Sequence, residues 1–73
     1  MYVNINKLKG KFVELGLSVP DVAHKIGMDP STLYRKMADD GRTMLVKDAN
    51  EIVKVLGLSA ADAMAIFFSQ FVA

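Results

Sequence analysis

The positions of glycine and proline constrain the fold of this 73-residue chain more than any other feature. Except for Gly10, the glycines and prolines lie between segments in which apolar residues recur every three or four positions. This is the period of a helix that buries one face. The pattern therefore predicts an all-α fold of five helices without strands, and the length predicts a single domain over residues 1–73. The residues at the breaks are Gly16, Pro20, Gly27, Pro30, Gly41 and Gly57.

Capping residues mark the limits of the first two helices. The first helix is expected over about residues 4–15, with Gly16 as its stop signal. Ser18 and Asp21 have the spacing of a capping box, in which each side chain accepts a hydrogen bond from the backbone amide of the other residue. The second helix therefore begins after Ser18 and ends at Gly27. The residues expected to face the core are Ile5, Leu8, Phe12 and Leu15 in the first helix, and Val22, Ala23 and Ile26 in the second.

Residues 18–37 have the spacing of a helix-turn-helix. The pair Asp29-Pro30 starts the third helix, because aspartate caps helices well and proline is tolerated in the first turn. Ala23 is small where the third helix must cross close above the second, and Gly27 allows the positive φ of a steep turn. The other face of the third helix is then free to enter a major groove. Three apolar residues are expected to hold this helix on the domain: Met28, Leu33 and Met37.

A polar loop over residues 38–43 is expected to precede a fourth helix over about residues 46–56. Leu45 stands at the cap position of this helix, so either Thr43 caps it or no residue does. Residues 59–62 repeat the capping pattern before a fifth helix. The expected inward residues are Ala49, Ile52, Val53 and Leu56 in the fourth helix, and Ala63, Ile66 and Phe67 in the fifth.

Composition argues against several classes of protein. The chain has no cysteine and one histidine, His24, which is expected on the surface, so no disulfide, metal site or cofactor is expected. It has no glycine-rich phosphate loop and no nucleophile paired with a base, so we do not expect an enzyme. No signal peptide and no apolar run of about 18 residues is present, so a cytoplasmic protein is expected rather than a membrane protein. The net charge of +1 argues against strong nonspecific DNA binding, and the 52% hydrophobic content suggests that some apolar surface faces a second subunit.

Residues 17–37, LSVPDVAHKIGMDPSTLYRKM, resemble the helix-turn-helix of the Cro and repressor proteins of temperate phages, the XRE-type family. The resemblance extends through the next loop and residues 52–59, and so covers most of the chain. The segment 66–71 resembles the ending of small prophage-encoded regulators of Gram-positive bacteria. The resemblance implies a five-helix, lambda-repressor-like domain. It also implies a transcriptional regulator of phage or prophage origin, either a repressor or Cro-like, that occupies a double-stranded DNA operator, with the homodimer as one of two assemblies left open below.

The resemblance also implies which residues contact DNA. In this family the start of the recognition helix touches base edges, which assigns base contacts to Pro30, Ser31 and Arg35. Arg35 is the strongest candidate, because its guanidinium can donate two hydrogen bonds to O6 and N7 of guanine. Contacts with the DNA backbone or the groove walls are assigned to Thr32, Tyr34, Lys36, Arg42 and Lys25. Weaker phosphate candidates are Lys7, Lys9 and Lys11.

Some residues depart from the family pattern. Val19 stands where many relatives have a glutamine that binds phosphate. Asp39 and Asp40 lie near the expected DNA face, where they repel phosphates unless they are turned away, and their expected role is to form a turn rather than to act as catalytic acids. Residues 18–44 carry four basic and four acidic groups. These departures favour an alternative function: a protein-interaction module, such as an antirepressor or adaptor, that uses the fold without binding DNA.

Three residues near the end of the chain leave the oligomeric state open. Phe68, Phe71 and Val72 either form the edge of a homodimer contact or pack back onto the first helix and complete the core of a monomer. Both alternatives stay open because a domain this small needs every large apolar residue that it has.

Overall fold

Five short helices follow one another along the chain, as the pattern of glycines and prolines predicts. The computed structural model describes residues 1–68. This range contains no strand, so the predicted all-α class and the predicted number of helices are confirmed for it. The helices are α1 (Ile5–Glu14), α2 (Val19–Lys25), α3 (Pro30–Met37), α4 (Val46–Leu56) and α5 (Ala60–Phe67), and a 3-10 turn over Asp39–Gly41 lies between α3 and α4.

Side-chain caps begin α2 and α3 at the predicted residues. The Ser18 amide donates to Oδ2 of Asp21 at 2.8 Å, and the Asp21 amide donates to Oγ of Ser18 at 3.2 Å. At the start of α3, the Asp29 carboxylate accepts a hydrogen bond from the Ser31 amide at 2.9 Å. The first amides of a helix have no partner inside the helix, so these neighbouring side chains satisfy them. The predicted starts are correct because each cap depends only on residues close in the sequence.

The start of α4 is stabilised by a residue within the helix itself. Leu45 occupies the cap position and has no side-chain acceptor, and no side chain caps the free amides of the first turn. The Leu45 amide instead donates to Oδ2 of Asp48 at 2.9 Å. The sequence left open whether Thr43 caps α4 or whether no residue does. The structure supports the second alternative, because Thr43 does not cap this helix.

The core is formed by the inner faces of all five helices. Leu8 and Phe12 lie one turn apart in α1 and are buried as predicted, but Leu15 is exposed, against the prediction. The reason is that α1 ends at Glu14, and Leu17 in the following turn packs against the core instead. The predicted inward residues of the other helices are buried or half-buried. The buried apolar side chains are Val3, Leu8, Phe12, Val22, Ala23, Leu33, Met37, Met44, Ala49, Ile52, Ile66 and Phe67.

The residues before α1 are also part of the packed structure, which the sequence pattern did not indicate. Val3 is buried, and its amide donates to the carbonyl of Asp40 at 2.7 Å. The Asn4 amide donates to the carbonyl of Ile66 at 2.7 Å. Asp39 and Asp40 both have positive φ angles, 52° and 57°, which agrees with their predicted role as turn formers. The segment before α1 is thus tied both to the 3-10 turn and to α5.

Replacing Gly41 with alanine is expected to lower the free energy of unfolding by about 1–2 kcal/mol. Gly41 has a φ of +74°, and a Cβ at this position would lie 2.6 Å from Cγ2 of Val3. Alanine rarely adopts such a φ, and the buried, β-branched Val3 has little freedom to turn away. Chemical denaturation measures the loss.

Gly10→Ala is the matched control. A Cβ at Gly10 would have no neighbouring atom within 4 Å, and alanine favours the middle of a helix over glycine by about 0.5–1 kcal/mol. The two substitutions are therefore expected to change stability in opposite directions. Stabilisation by both would contradict the close packing of Val3 on Gly41.

Candidate nucleic-acid interface

The helices α2 and α3 pack on each other through a short turn, and this packing determines which face of α3 is exposed. Ala23 of α2 is fully buried, and its carbonyl accepts a hydrogen bond from the Met28 amide at 2.8 Å. Gly27, in the turn, has a φ of +70°, as its predicted role requires. Leu33 and Met37 are buried one turn apart and hold the inner face of α3 on the core. The opposite face of α3 therefore points away from the domain.

The residues predicted to contact DNA bases all lie on α3, Pro30 and Ser31 in its first turn and Arg35 in its last turn. Ser31 and Arg35 are one turn apart and exposed, while Pro30 is half-buried. Two of the residues assigned to the DNA backbone or the groove walls, Tyr34 and Thr32, lie between them on this helix; Tyr34 is exposed and Thr32 is half-buried. The structure thus brings these five residues onto one short helix, and three of them, Ser31, Tyr34 and Arg35, are exposed to solvent.

Arg35 has the free side chain that base recognition requires. Its side chain makes no ion pair and no hydrogen bond with any of residues 1–68. The N–H groups of the guanidinium are therefore available to an external acceptor. A guanidinium presents its donors in a planar fork that matches two acceptors on one base edge or two oxygens of a phosphate.

Ser31 is already hydrogen-bonded, a contact that the sequence analysis did not include. Its hydroxyl donates to Oδ1 of Asp29 at 2.6 Å, in addition to the capping bond from its amide. The Ser31 hydroxyl and amide hold the pKa of Asp29 below its ordinary value, so this carboxylate stays charged at the start of α3. While the Ser31 hydroxyl donates to Asp29, its oxygen is available to another group as an acceptor. This chemistry fits an amino group on a base edge, such as N4 of cytosine or N6 of adenine.

A shallow groove lies beside Tyr34. It is lined by Lys9 from α1, Val19 at the first position of α2, and the end of α3. The structure thereby places Lys9, one of the weaker phosphate candidates, next to the predicted groove-wall residue Tyr34. Val19 supplies an apolar wall where a glutamine would offer hydrogen bonds. Lys9 and Tyr34 are thus the two polar side chains along a groove whose other lining residues are apolar.

Lys36 contacts a carboxylate inside the protein. Its ammonium lies 2.9 Å from Oδ2 of Asp48, and the two side chains are only 16% and 8% exposed. Burial raises the pKa of Asp48, but the hydrogen bonds from Lys36 and from the Leu45 amide outweigh this effect and hold the pKa below its ordinary value. The ion pair joins α3 to α4 beside the cap of α4. Sequence reasoning placed Lys36 at the DNA backbone, whereas the structure gives it this internal partner.

Arg42, the predicted phosphate ligand in the loop, lies against Tyr2. Its Nη2 donates to the phenol oxygen of Tyr2 at 2.6 Å, and the guanidinium carbon lies 5.1 Å from the centre of the Tyr2 ring. Its Nε is 3.6 Å from a carboxylate oxygen of Asp39. Tyr2 was not among the residues singled out from the sequence, because it lies 40 residues away and outside any helical pattern.

The remaining basic candidates differ in their surroundings. Lys25 is the last residue of α2 and is exposed, as is its neighbour His24, which was predicted to lie on the surface. Lys11 forms ion pairs with Glu14 at 2.9 Å and with Asp62 at 2.8 Å, which join α1 to α5. Lys25 therefore remains available to an external anion, and Lys11 has internal partners.

The residues proposed for a dimer contact are described only in part. Phe68 is half-buried and packs against the core beside Phe67, with the ring centres 6.4 Å apart. This arrangement agrees with the alternative in which Phe68 completes the core of the monomer. Phe71 and Val72 lie outside the described residues.

Three further observations concern other kinds of site and known proteins. Within residues 1–68, no three or more histidine, cysteine, aspartate or glutamate side chains are grouped so that they could hold a metal ion. None of the helices in this range is long and apolar enough to cross a membrane. Comparison of the chain with known protein families, with curated proteins and with solved structures found no match.

Proposed function

We propose that this protein binds double-stranded DNA in a sequence-specific manner and regulates transcription. In this proposal α2 and α3 are the helix-turn-helix of a lambda-repressor-like domain, and α3 is the recognition helix. By occupying an operator, the protein blocks or redirects RNA polymerase. The resemblance of residues 17–37 to phage Cro and repressor proteins supports an origin in a phage or prophage and a site of action in the bacterial cytoplasm.

The observation that carries the proposal is the free guanidinium of Arg35 on the exposed face of a firmly anchored helix. Leu33 and Met37 fix the inner face of α3, and the Asp29 cap fixes its start. A helix held in this way can enter the major groove of B-DNA, which is about 12 Å wide, as a rigid body. Arg35 then has the freedom and the geometry to bind guanine, and Ser31 can accept a hydrogen bond from a neighbouring base.

Few cations surround α3, so the proposal implies binding that depends on base contacts more than on charge. Of the predicted phosphate ligands, Lys36 is paired with Asp48 and Lys11 with Glu14 and Asp62, which leaves Lys25, Arg42, Lys7 and Lys9 available to phosphates. Each phosphate contact contributes about 0.9 to the slope of log K against log salt concentration. We therefore expect a slope of roughly −2 to −4 for each bound subunit.

Arg35→Ala is expected to weaken binding to the preferred duplex about 5- to 150-fold and to remove one guanine preference. The reason is that one bidentate contact to guanine contributes about 1–3 kcal/mol of discrimination. The test is a selection from a random duplex DNA library with the wild type and with Arg35→Ala in parallel. Titration of the selected duplex then measures the two affinities.

Lys54→Ala is the matched control, because it removes a positive charge from an exposed position on α4. It is expected to select the same motif as the wild type, with nearly the same affinity. If the wild type enriches no motif at low salt, the proposal of sequence-specific DNA binding is wrong. If Arg35→Ala keeps the wild-type motif, DNA binding stands but its assignment to Arg35 does not.

A second candidate function is a protein-interaction module, and the acidic residues at both ends of α3 favour it. Asp29 lies at the start of this helix, and Asp39 and Asp40 follow its end, all three exposed. They weaken attraction to DNA and suit a partner with basic groups. A duplex titration separates the two functions, since a DNA-binding protein binds the selected duplex with the salt slope given above and a module that does not bind DNA leaves the duplex unbound.

In the proposed function, dimer formation determines the length of the operator. Two copies related by a twofold axis place their α3 helices about 34 Å apart, one turn of DNA, on a pseudo-palindromic site. Because Phe68 packs against the core, Phe71 and Val72 remain the proposed edge of the contact between the two copies. A footprint that covers a single half-site would contradict the dimer.

A further inference from the structure

Tyr2 and Arg42 form a surface pair that the chain assembles from two distant segments. The Arg42 guanidinium donates to the phenol oxygen at 2.6 Å and lies over the Tyr2 ring at 5.1 Å. The two contacts use different parts of the tyrosine, its oxygen and the face of its ring. The pair therefore has a defined relative orientation, although both side chains are exposed.

The backbone on both sides of the pair is held in place. Val3 follows Tyr2, and it is buried against Gly41, which precedes Arg42. The hydrogen bond from the Val3 amide to the Asp40 carbonyl, at 2.7 Å, joins the same two segments. Hence the backbone positions of Tyr2 and Arg42 are set by buried neighbours, and their side chains are oriented by the contact between them.

Counting donors shows what such a site can bind. The phenol oxygen of Tyr2 accepts from Arg42, so the phenol proton is still available for donation. The guanidinium has five N–H donors and gives one of them to Tyr2. The Asp39 carboxylate lies 3.6 Å from Nε, close enough for an ion pair but too far for a good hydrogen bond. The neutral phenol of Tyr2 and the positively charged guanidinium of Arg42 thus both offer hydrogen-bond donors, and the carboxylate of Asp39 is the only anion that contacts them among residues 1–68.

We propose that Tyr2 and Arg42 together bind a single phosphate of the DNA backbone, and that Asp39 is the anion which this phosphate displaces. This inference rests on the proposed function. The site is open and shallow, which suits a phosphate on a polymer that is held at other points as well. Arg42 also lies five residues after Met37, the last residue of α3, so the site is close in the chain to the proposed recognition helix.

Tyr2→Phe is expected to weaken binding about 3- to 10-fold on every duplex, with an unchanged sequence preference. The substitution removes the phenol oxygen and keeps the aromatic ring under the guanidinium. Because a phenol carries no charge, the salt dependence of Tyr2→Phe should equal that of the wild type. Arg42→Gln should reduce the salt slope by about 0.9, the contribution of one phosphate contact.

The double variant decides whether the two residues act as one site. If they share a phosphate, Tyr2→Phe together with Arg42→Gln should weaken binding by much less than the product of the two single effects. Asp39→Asn should tighten binding about 2- to 5-fold, because it removes the competing charge. Asparagine tolerates the positive φ of this position, so the turn is preserved.

Three results separate the possible failures. Tyr2→Phe binding as tightly as the wild type, with unchanged stability to denaturant, would overturn the inference and leave the proposed function intact. So would single effects that multiply in the double variant, since the residues would then act independently. A wild type that binds no duplex at low salt would instead overturn the proposed function, and the shared phosphate site with it.

Discussion

Leu33→Ala is expected to lower the free energy of unfolding by about 4 kcal/mol, the largest effect of any substitution considered for this protein. Leu33 is fully buried and holds the centre of α3 on the core. Removing its side chain loses the transfer free energy of three carbon atoms and leaves a cavity that a rigid core fills only in part. A chain of 73 residues is stable by roughly 4–11 kcal/mol, so the variant is expected to lose a large fraction of its stability.

Leu45→Ala is the matched control for this prediction. It makes the same chemical change at a position that is 56% exposed, next to the start of α4. The Leu45 contact that matters to α4 is made by its backbone amide, which alanine retains. Denaturation by urea, followed by circular dichroism, measures both variants. Equal losses in the two would show that α3 is not anchored through Leu33.

The limits of the helices could be predicted from the sequence because they depend on local interactions. Ser18 and Asp21 are three residues apart, and Asp29 and Ser31 are two apart, so each cap is visible as a short motif. The positive φ of Gly27 follows from the need to join two helices by a tight turn. The inner face of α3 could also be predicted, because hydrophobic periodicity depends only on the residues of that one helix.

Contacts between distant residues could not be predicted in this way. Tyr2 meets Arg42 across 40 positions, and Lys36 meets Asp48 across 12, on separate helices. The hydrophobic periodicity of a single segment contains no information about contacts between residues on different segments. The same limit explains the error at Leu15, whose burial depended on where α1 ends relative to its neighbours.

The candidate site contains some features that could be predicted from the sequence and others that could not. The sequence identified α3 and the exposed positions of Ser31 and Arg35, because the opposite face of the same helix is apolar. It did not indicate that the Ser31 hydroxyl donates a hydrogen bond to Asp29, or that Asp48 neutralises Lys36. As a result the electrostatic character of α3 differs from the one that a count of basic and acidic residues suggests. Only the three-dimensional contacts show which charges remain free.

Asp48→Asn is expected to lower the free energy of unfolding by about 2–3 kcal/mol at pH 7. The substitution removes the negative charge beside the Lys36 ammonium and leaves it without a counter-charge on a side chain that is only 16% exposed. The loss is smaller than for a fully buried pair, because the Lys36 side chain lies at the edge of the protein and can extend toward water. Asp48 also accepts from the Leu45 amide, so the start of α4 weakens together with its link to α3.

Asp62→Asn tests whether burial causes this effect. Asp62 lies 2.8 Å from the ammonium of Lys11 and also occupies the first turn of a helix, but its side chain is 43% exposed. Exposed ion pairs contribute little because water and salt screen them, so a much smaller loss is expected from Asp62→Asn. Equal losses in the two variants would contradict the role assigned to burial. A double-mutant cycle with Lys36→Met then isolates the energy of the Lys36–Asp48 pair.

The pH dependence of the same variant gives an independent check. The pKa of Asp48 is lower in the folded protein than in the unfolded chain, because the hydrogen bonds from Lys36 and Leu45 outweigh the effect of burial. A lowered pKa stabilises the folded state above the unfolded value, and this stabilisation is lost as the pH falls through the folded value. The difference in stability between the wild type and Asp48→Asn should therefore be constant near neutral pH and shrink below about pH 4. A difference that stays constant down to pH 2 would mean that the charge of Asp48 is not what stabilises the contact between α3 and α4.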